Sequence, residues 1–214
     1  MKELVARYEK GMIPACMDEL IRLTEMKTRH AIAQLPEGEY EASDFMDDDM
    51  DSDEPIPIKV KITIRHQPQP SITLDWTGTG KAAKWGINNV YQGTASAVYW
   101  VMRSVLDPDI PALAGFQKCF DIIIPKGTIL NCQAPSPVGA RSEMLYQIPD
   151  SPFRALANVV PGKIVAGNHG VHGIGFSNQS GPSFIYYETV AGGGGARTTK
   201  DGIDGVHCAS NLPL

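Results

Sequence analysis

Four consecutive glycines, Gly192 to Gly195, follow a run rich in β-formers, FIYYETV. Without Cβ atoms, such a run allows positive φ angles or the close approach of another backbone or a ligand. It is not a phosphate loop, because Lys200 and Asp201 do not complete G-x-x-x-x-G-K-[ST]. It is not a dinucleotide fingerprint either, since TTKDGIDG reads as turns where a helix should follow. His169 and His172 stand three apart in GNHGVHGIG. Two imidazoles can serve a metal, but no third ligand is evident beside them, and hydrogen-bonded loop histidines remain the plain alternative. Asp49, Asp51 and Asp53 have the spacing of a calcium loop, yet Glu54 and Val60 stand where its glycine and bidentate glutamate belong. His207 precedes Cys208, but adjacent side chains point apart, so the adjacency is a weak sign of a Cys–His pair. Zinc-protease, nucleophile-elbow, C-x-x-C and deaminase patterns are absent.

The elements that would position these groups are legible in outline. Residues 12–34 read as a helix whose stripe of Met17, Leu20, Ile21, Met26, Ala31 and Leu35 is expected to pack in the core. Seven of the eleven residues from Asp44 to Glu54 are acidic, which predicts a solvated hairpin or loop. Ile58, Val60, Ile62 and Ile64 alternate with polar residues, a half-buried strand, and SITLDW returns beside it. A helix is expected from about Ile87 to Leu106, then a buried strand at FDIIIP, with ILNC also extended. Residues 142–160 read as helical mainly in FRALANVV, because Pro149 and Pro152 allow at best a kinked or restarted helix before it. Phe184 to Val190 is a strand, and AGGGGAR a tight backbone turn. The fold class is α+β, mostly antiparallel sheet with packed helices and a Gly-rich C-terminal part. The domain reading is one partial domain over 1–214, with a helical segment at 1–36, the acidic loop at 44–54 and a mixed α/β remainder.

Composition narrows the function. With 214 residues, 19 basic against 24 acidic side chains and a net charge of −5, nothing argues for a nucleic-acid or anionic-membrane surface. No apolar run approaches the roughly 18–20 residues of a spanning helix. MKELVARYEKG has no signal-peptide core, so a cytoplasmic setting with four free cysteines is expected.

The ordered motifs LPEGEYEASDFMDDD, LDWTGTG with INN, DPDIP, IPKGTILN, APSPVGARS, RALANVVP and YYETVAGGGGARTTKDGIDGVH resemble the hydantoinase B family. That family includes the second component of ATP-dependent N-methylhydantoinase and half of 5-oxoprolinase, and is related to acetone and acetophenone carboxylase large subunits. The resemblance covers nearly the whole chain, as a central-to-C-terminal portion of a longer polypeptide. Where family members carry I-P-x-N-x-G, this sequence has IPALAG with Leu113.

The resemblance implies an ATP-dependent opening of small cyclic amides such as hydantoin or 5-oxoproline. A hydantoinase A-like partner would use the ATP, so a hetero-oligomer is expected. A divalent metal belongs to the family, but its ligands are not evident in this chain. On that reading Arg197 supplies the cation for phosphoryl oxygens, and the backbone of Gly193, Gly194 and Gly195 supplies donors. Asp201 and His207 are base or polar positions, with Arg141 and Glu188 next in line. Plainer readings stand beside these: Arg197 paired with Asp201 or Asp204, Glu188 facing solvent, and glycines that simply make a hairpin. The rival functions are an ATP-dependent ketone carboxylase and a non-catalytic piece of a split subunit.

Overall fold

A computed structural model describes residues 2–8, 11–48, 51, 53–167, 172–178, 180–190 and 192–206. The alternating strand is β2 (Ile56–Arg65), and it is central. It pairs antiparallel with β1 (Gly38–Met46) on one side and β3 (Ser71–Asp75) on the other. β3 in turn runs parallel to β4 (Phe120–Ile123), giving a sheet in the order β1-β2-β3-β4. The period of two puts Ile58, Val60, Ile62 and Ile64 on the inner face, all buried, and Lys59, Lys61, Thr63 and Arg65 on the outer one. There Lys61 and Arg65 flank Glu39 at 3.0 and 3.4 Å. Together the two cations hold the Glu39 carboxyl below the usual carboxylate range, Lys61 through its hydrogen bond first.

The parallel pair needs a crossover, and α3 (Tyr91–Leu106) with the short α4 (Ala114–Gln117) provides it. Val98, Val101, Met102 and Val105 form the buried stripe of α3. α5 (Arg141–Ala155) packs on α3, β1 and β2, with Met144, Ile148 and Phe153 in the shared core and the Phe153 ring edge-on to Trp100 of α3 at 6.0 Å. This α+β body accounts for the core. The chain then passes a 3-10 turn at Pro161–Lys163 into two small sheets. One is a hairpin of β5 (His172–Ser177) and β6 (Ile185–Val190); the other pairs β7 (Gly193–Gly194) with β8 (Ile203–Asp204).

Several boundaries and faces depart from the sequence reading. After α1 (Lys2–Arg7), α2 (Met12–Ile32) has the expected span, and of the expected stripe Ala31 and Leu35 do pack in the core. The helix otherwise buries Thr24, Thr28 and Ile32, while Met17, Leu20 and Met26 are exposed. The threonine hydroxyls donate back to the carbonyls of Leu20 and Thr24, both at 2.7 Å, so they are buried with their polar atoms satisfied. Their small side chains let α4 come close. A Cβ on Gly115 would stand 1.9 Å from the Ile21 carbonyl oxygen. The acidic run starts inside β1, where Asp44 pairs with Arg154 at 3.4 Å, and only its later residues connect β1 to β2. α3 begins at Tyr91 rather than near Ile87, because Asn88 and Asn89 are engaged elsewhere. α5 starts at Arg141 and runs through Pro149 and Pro152 to Ala155, with FRALANVV mostly beyond its end. Both prolines are buried, so packing on β1 and β2 outweighs the two lost helical hydrogen bonds. ILNC forms turns, not a strand.

Cys16, Cys119 and Cys132 are free thiols, and Cys208 lies outside the described residues. Burial pushes the Cys119 thiol up to about 11, and its sulfur lies 3.7 Å from the Gly115 carbonyl oxygen. Alkylation at pH 8 followed by peptide mapping therefore labels the exposed Cys16 and spares Cys119 and Cys132 until denaturant is added. Gly115→Ala is expected to lower stability by about 2–4 kcal/mol through overpacking against α2. Gly139→Ala, with nothing within 4 Å of the new Cβ, stays within about 0.5 kcal/mol in the same denaturation experiment.

Candidate functional site

At the carboxyl ends of β3 and β4 the chain leaves the sheet in two irregular loops, 76–90 and 124–140. Buried backbone in loops must find partners, and here it finds them across the gap between the two. Trp76 N–H donates to Ile123 at 2.9 Å, Ile129 to Gly80 at 3.0 Å and Ala82 to Gly127 at 2.9 Å. Gly78 and Gly127, at φ +95° and +80°, allow the reversals. Asn88 is wholly buried. Its side-chain oxygen accepts from Ala83 N–H at 2.7 Å, and its amide nitrogen donates to the carbonyls of Ala83, Trp85 and Pro137 at 2.9–3.0 Å. Asn89 uses its backbone to join Ile129 and Cys132, and its side-chain oxygen accepts from Val90 N–H where α3 begins. Asn131 donates to the Ile124 carbonyl at 2.8 Å.

These asparagines were singled out by no chemical argument from sequence. The available signal was two adjacent amides between a glycine-rich turn and an apolar helix. Their layer holds Ala140 N–H on the Gly86 carbonyl at 2.9 Å and so fixes the start of α5, where Arg141 is exposed. Leu113 lines a cavity of about 280 Å³ with Tyr99, Trp100, Arg103 and Phe116, an apolar wall where the resembling family carries asparagine.

The glycine run is not a turn. Gly193 and Gly194 form β7, and the tight turn lies further on, with Arg197 and Lys200 exchanging backbone hydrogen bonds at 2.8 and 3.2 Å. Gly193 and Gly195 serve close backbone contact, while a Cβ on Gly194 would meet nothing within 4 Å. A Cβ on Gly195 would fall 1.2 Å from the Ala166 carbonyl oxygen, and one on Gly193, at φ +150°, 2.8 Å from that of Ile203. Ala166 N–H donates to Ala196 at 2.9 Å, which ties this unit to the segment leaving the 3-10 turn.

Arg197 and Asp201 are exposed on that unit. Among the described residues neither side chain forms an ion pair, so the pairing of Arg197 with Asp201 or Asp204 is not present. Glu188 is exposed on β6 and accepts a short hydrogen bond from Tyr186, which holds the Tyr186 phenol above its usual range. No hydrogen bond or ion pair among the described residues joins any two of Arg141, Glu188, Arg197 and Asp201. His207, His169 and Cys208 lie outside the described residues. Among those described, no group of three histidine, cysteine or carboxylate side chains is placed to hold a metal ion, and no helix is long and apolar enough to cross a membrane. The family's divalent metal therefore finds no fitting ligand set among these residues, and no step is routed through one.

Asn88→Ala is expected to cost about 2–4 kcal/mol, since it leaves several buried backbone groups unpaired at once. A lowered melting temperature, with faster hydrogen exchange at Ala83 than in β2, would be the measured result.

The chain belongs to the hydantoinase B/oxoprolinase family, whose profile matches residues 1–212. A putative D-/L-hydantoinase B-type subunit from Pseudomonas sp. (strain NS671) is 34% identical over 213 residues, 95% of this chain and 36% of that protein. The chain thus spans about a third of that relative. Two solved structures share the fold. An ATP-dependent caprolactamase from Pseudomonas jessenii matches with a TM-score of 0.77 at 21% identity, over 95% of this chain and 36% of that one. A nucleotide-free acetone carboxylase matches with a TM-score of 0.69 at 20% identity, over 85% and 27%.

Proposed function

We propose that this chain is part of the hydantoinase B-type component of an ATP-dependent enzyme that opens small cyclic amides, working with a hydantoinase A-like partner. The observation that carries this reading is the family match along almost the whole chain, with the Pseudomonas hydantoinase relative aligned over 95% of it. A caprolactamase among the structural neighbours is consistent with a cyclic amide as substrate class.

An unactivated lactam is a poor electrophile. On this reading the partner transfers the γ-phosphoryl group of ATP to the amide oxygen, releasing ADP. Water then adds to the ring carbon, the C–N bond breaks as nitrogen takes a proton, and phosphate leaves on hydrolysis. The sum is one cyclic amide, one ATP and two waters giving the ring-opened acid (an amino acid from a lactam such as 5-oxoproline, an N-carbamoyl amino acid from a hydantoin), ADP and phosphate. Arg197, exposed and unpaired, is the group for the phosphoryl oxygens, since a guanidinium can bind them bidentately. The Gly195 N–H, outside the β7–β8 ladder, is the backbone donor for the developing oxyanion, with Gly193 and Gly194 holding it in place. Asp201 or His207 takes the proton of water. Arg141 and Glu188 sit on separate elements and take part only if the rest of the family-length polypeptide gathers them.

The carboxylase reading draws on the acetone carboxylase neighbour and differs in substrate. With the chain assembled into its complex, phosphate release that depends on hydantoin or 5-oxoproline, without bicarbonate, supports the amide reading. Dependence on acetone or acetophenone with bicarbonate supports the carboxylase, and neither in a well-formed complex supports a non-catalytic piece. In an active complex Arg197→Ala is expected to lower turnover about 100-fold, with Arg197→Lys in between and assembly unchanged. Full activity in Arg197→Ala would remove Arg197 from the site.

A further inference from the structure

The hairpin of β5 and β6 pairs with no other strand among the described residues. Opposed residues of an antiparallel pair share a face. The register puts Phe176 opposite Tyr186 and Ile174 opposite Glu188 on one face, and Gly175 opposite Tyr187 and Ser177 opposite Ile185 on the other. Both faces are open: Ile185 is 83% exposed and Tyr187 68% on one, Phe176 59% on the other. A globular protein does not leave a two-stranded ribbon bare on both sides with aromatic and branched side chains in water, and such a hairpin is marginal by itself. Gly175 adds a second sign. A Cβ there would meet nothing closer than 3.9 Å, so nothing among the described residues requires a glycine. Mid-strand glycine without an internal reason leaves room for another backbone.

From this geometry we infer that the β5–β6 hairpin is the docking element by which this chain joins the rest of a family-length polypeptide, buried on both faces between its segments. The inference rests on the chain being part of such a polypeptide. Length points to this occupant: relatives carry nearly two-thirds of their sequence outside the matched stretch, in the Pseudomonas hydantoinase relative and in the caprolactamase alike. Chemistry agrees, since Glu188 is the single charged side chain on the two strands and an apolar, uncharged partner surface is required. The N-terminal half of α2, with Met12, Met17 and Leu20 exposed, offers the same polypeptide a second hold.

The test co-expresses the full 214-residue chain with a tagged polypeptide comprising the part of the Pseudomonas relative outside the matched stretch. Ile185→Glu with Tyr187→Glu changes only exposed positions, and circular dichroism with hydrogen exchange in β2 checks that the body is unaltered. The expected result is a complex with the unaltered chain and at least tenfold weaker binding by the double variant. No complex with the unaltered chain, or an equally tight one with the variant, overturns the inference. So does self-association of the chain alone that the double variant abolishes, which would make the hairpin a surface for a second copy. Binding is read without turnover, so loss of the enzymatic reading leaves this outcome separately visible.

Discussion

Asn88 ties together loops that have no regular structure of their own. A buried loop carries N–H and C=O groups that cannot reach water, and each one left unpaired costs about 1–3 kcal/mol. One amide supplies an acceptor and a shared donor to two backbone segments, one at residues 83 and 85 and the other at residue 137. Asn131 and the backbone of Asn89 add further ties, while the Asn89 Nδ2 and Trp76 Nε1 groups stay buried without a hydrogen-bond partner among the described residues. The motifs TGTG, INN, KGTILN and SPVGA, far apart in sequence, meet in this one layer. The carboxyl ends of the parallel pair, the start of α3 and the start of α5 all take their positions from it.

Where burial follows period, the fold was legible. The inward Ile58, Val60, Ile62 and Ile64 of β2, or the stripe of α3, need only the geometry of a strand or helix to be read. The stripe of α2 misled because periodicity tells which residues share a face, not which face is covered. Met17 and Leu20 lie on a surface that the described body leaves open, and the real contact is made by threonines whose hydroxyls are satisfied inside the helix. The prolines of α5 misled for a related reason. Local cost is visible in sequence, whereas the packing of Met144, Ile148 and Phe153 in the core shared with α3 and the sheet is not.

The candidate site was legible in type more than in role. Within the run, Gly193 and Gly195 are places of close approach, but the neighbour is this chain's own backbone at Ile203 and Ala166. Arg197 emerges from that contact without a counter-charge among the described residues, the condition a phosphoryl-binding cation needs. The asparagines of the loop layer escaped notice because amide-rich loops are ordinary in sequence, and only the fold shows that their polar atoms are sealed from water.

The clasp between α2 and the α4 region joins parts of the chain that are made far apart in time. Cys119 lies 94 residues beyond the Glu25 carbonyl that it faces, and Arg29 reaches the carbonyls of Pro70 and Lys118. At roughly 5–20 residues per second, the ribosome leaves α2 without that cover for about 5–20 s. During that interval Thr24, Thr28 and Ile32 face solvent beside the methionines already exposed there. The helix therefore keeps that face uncovered until Gly115 emerges to receive it.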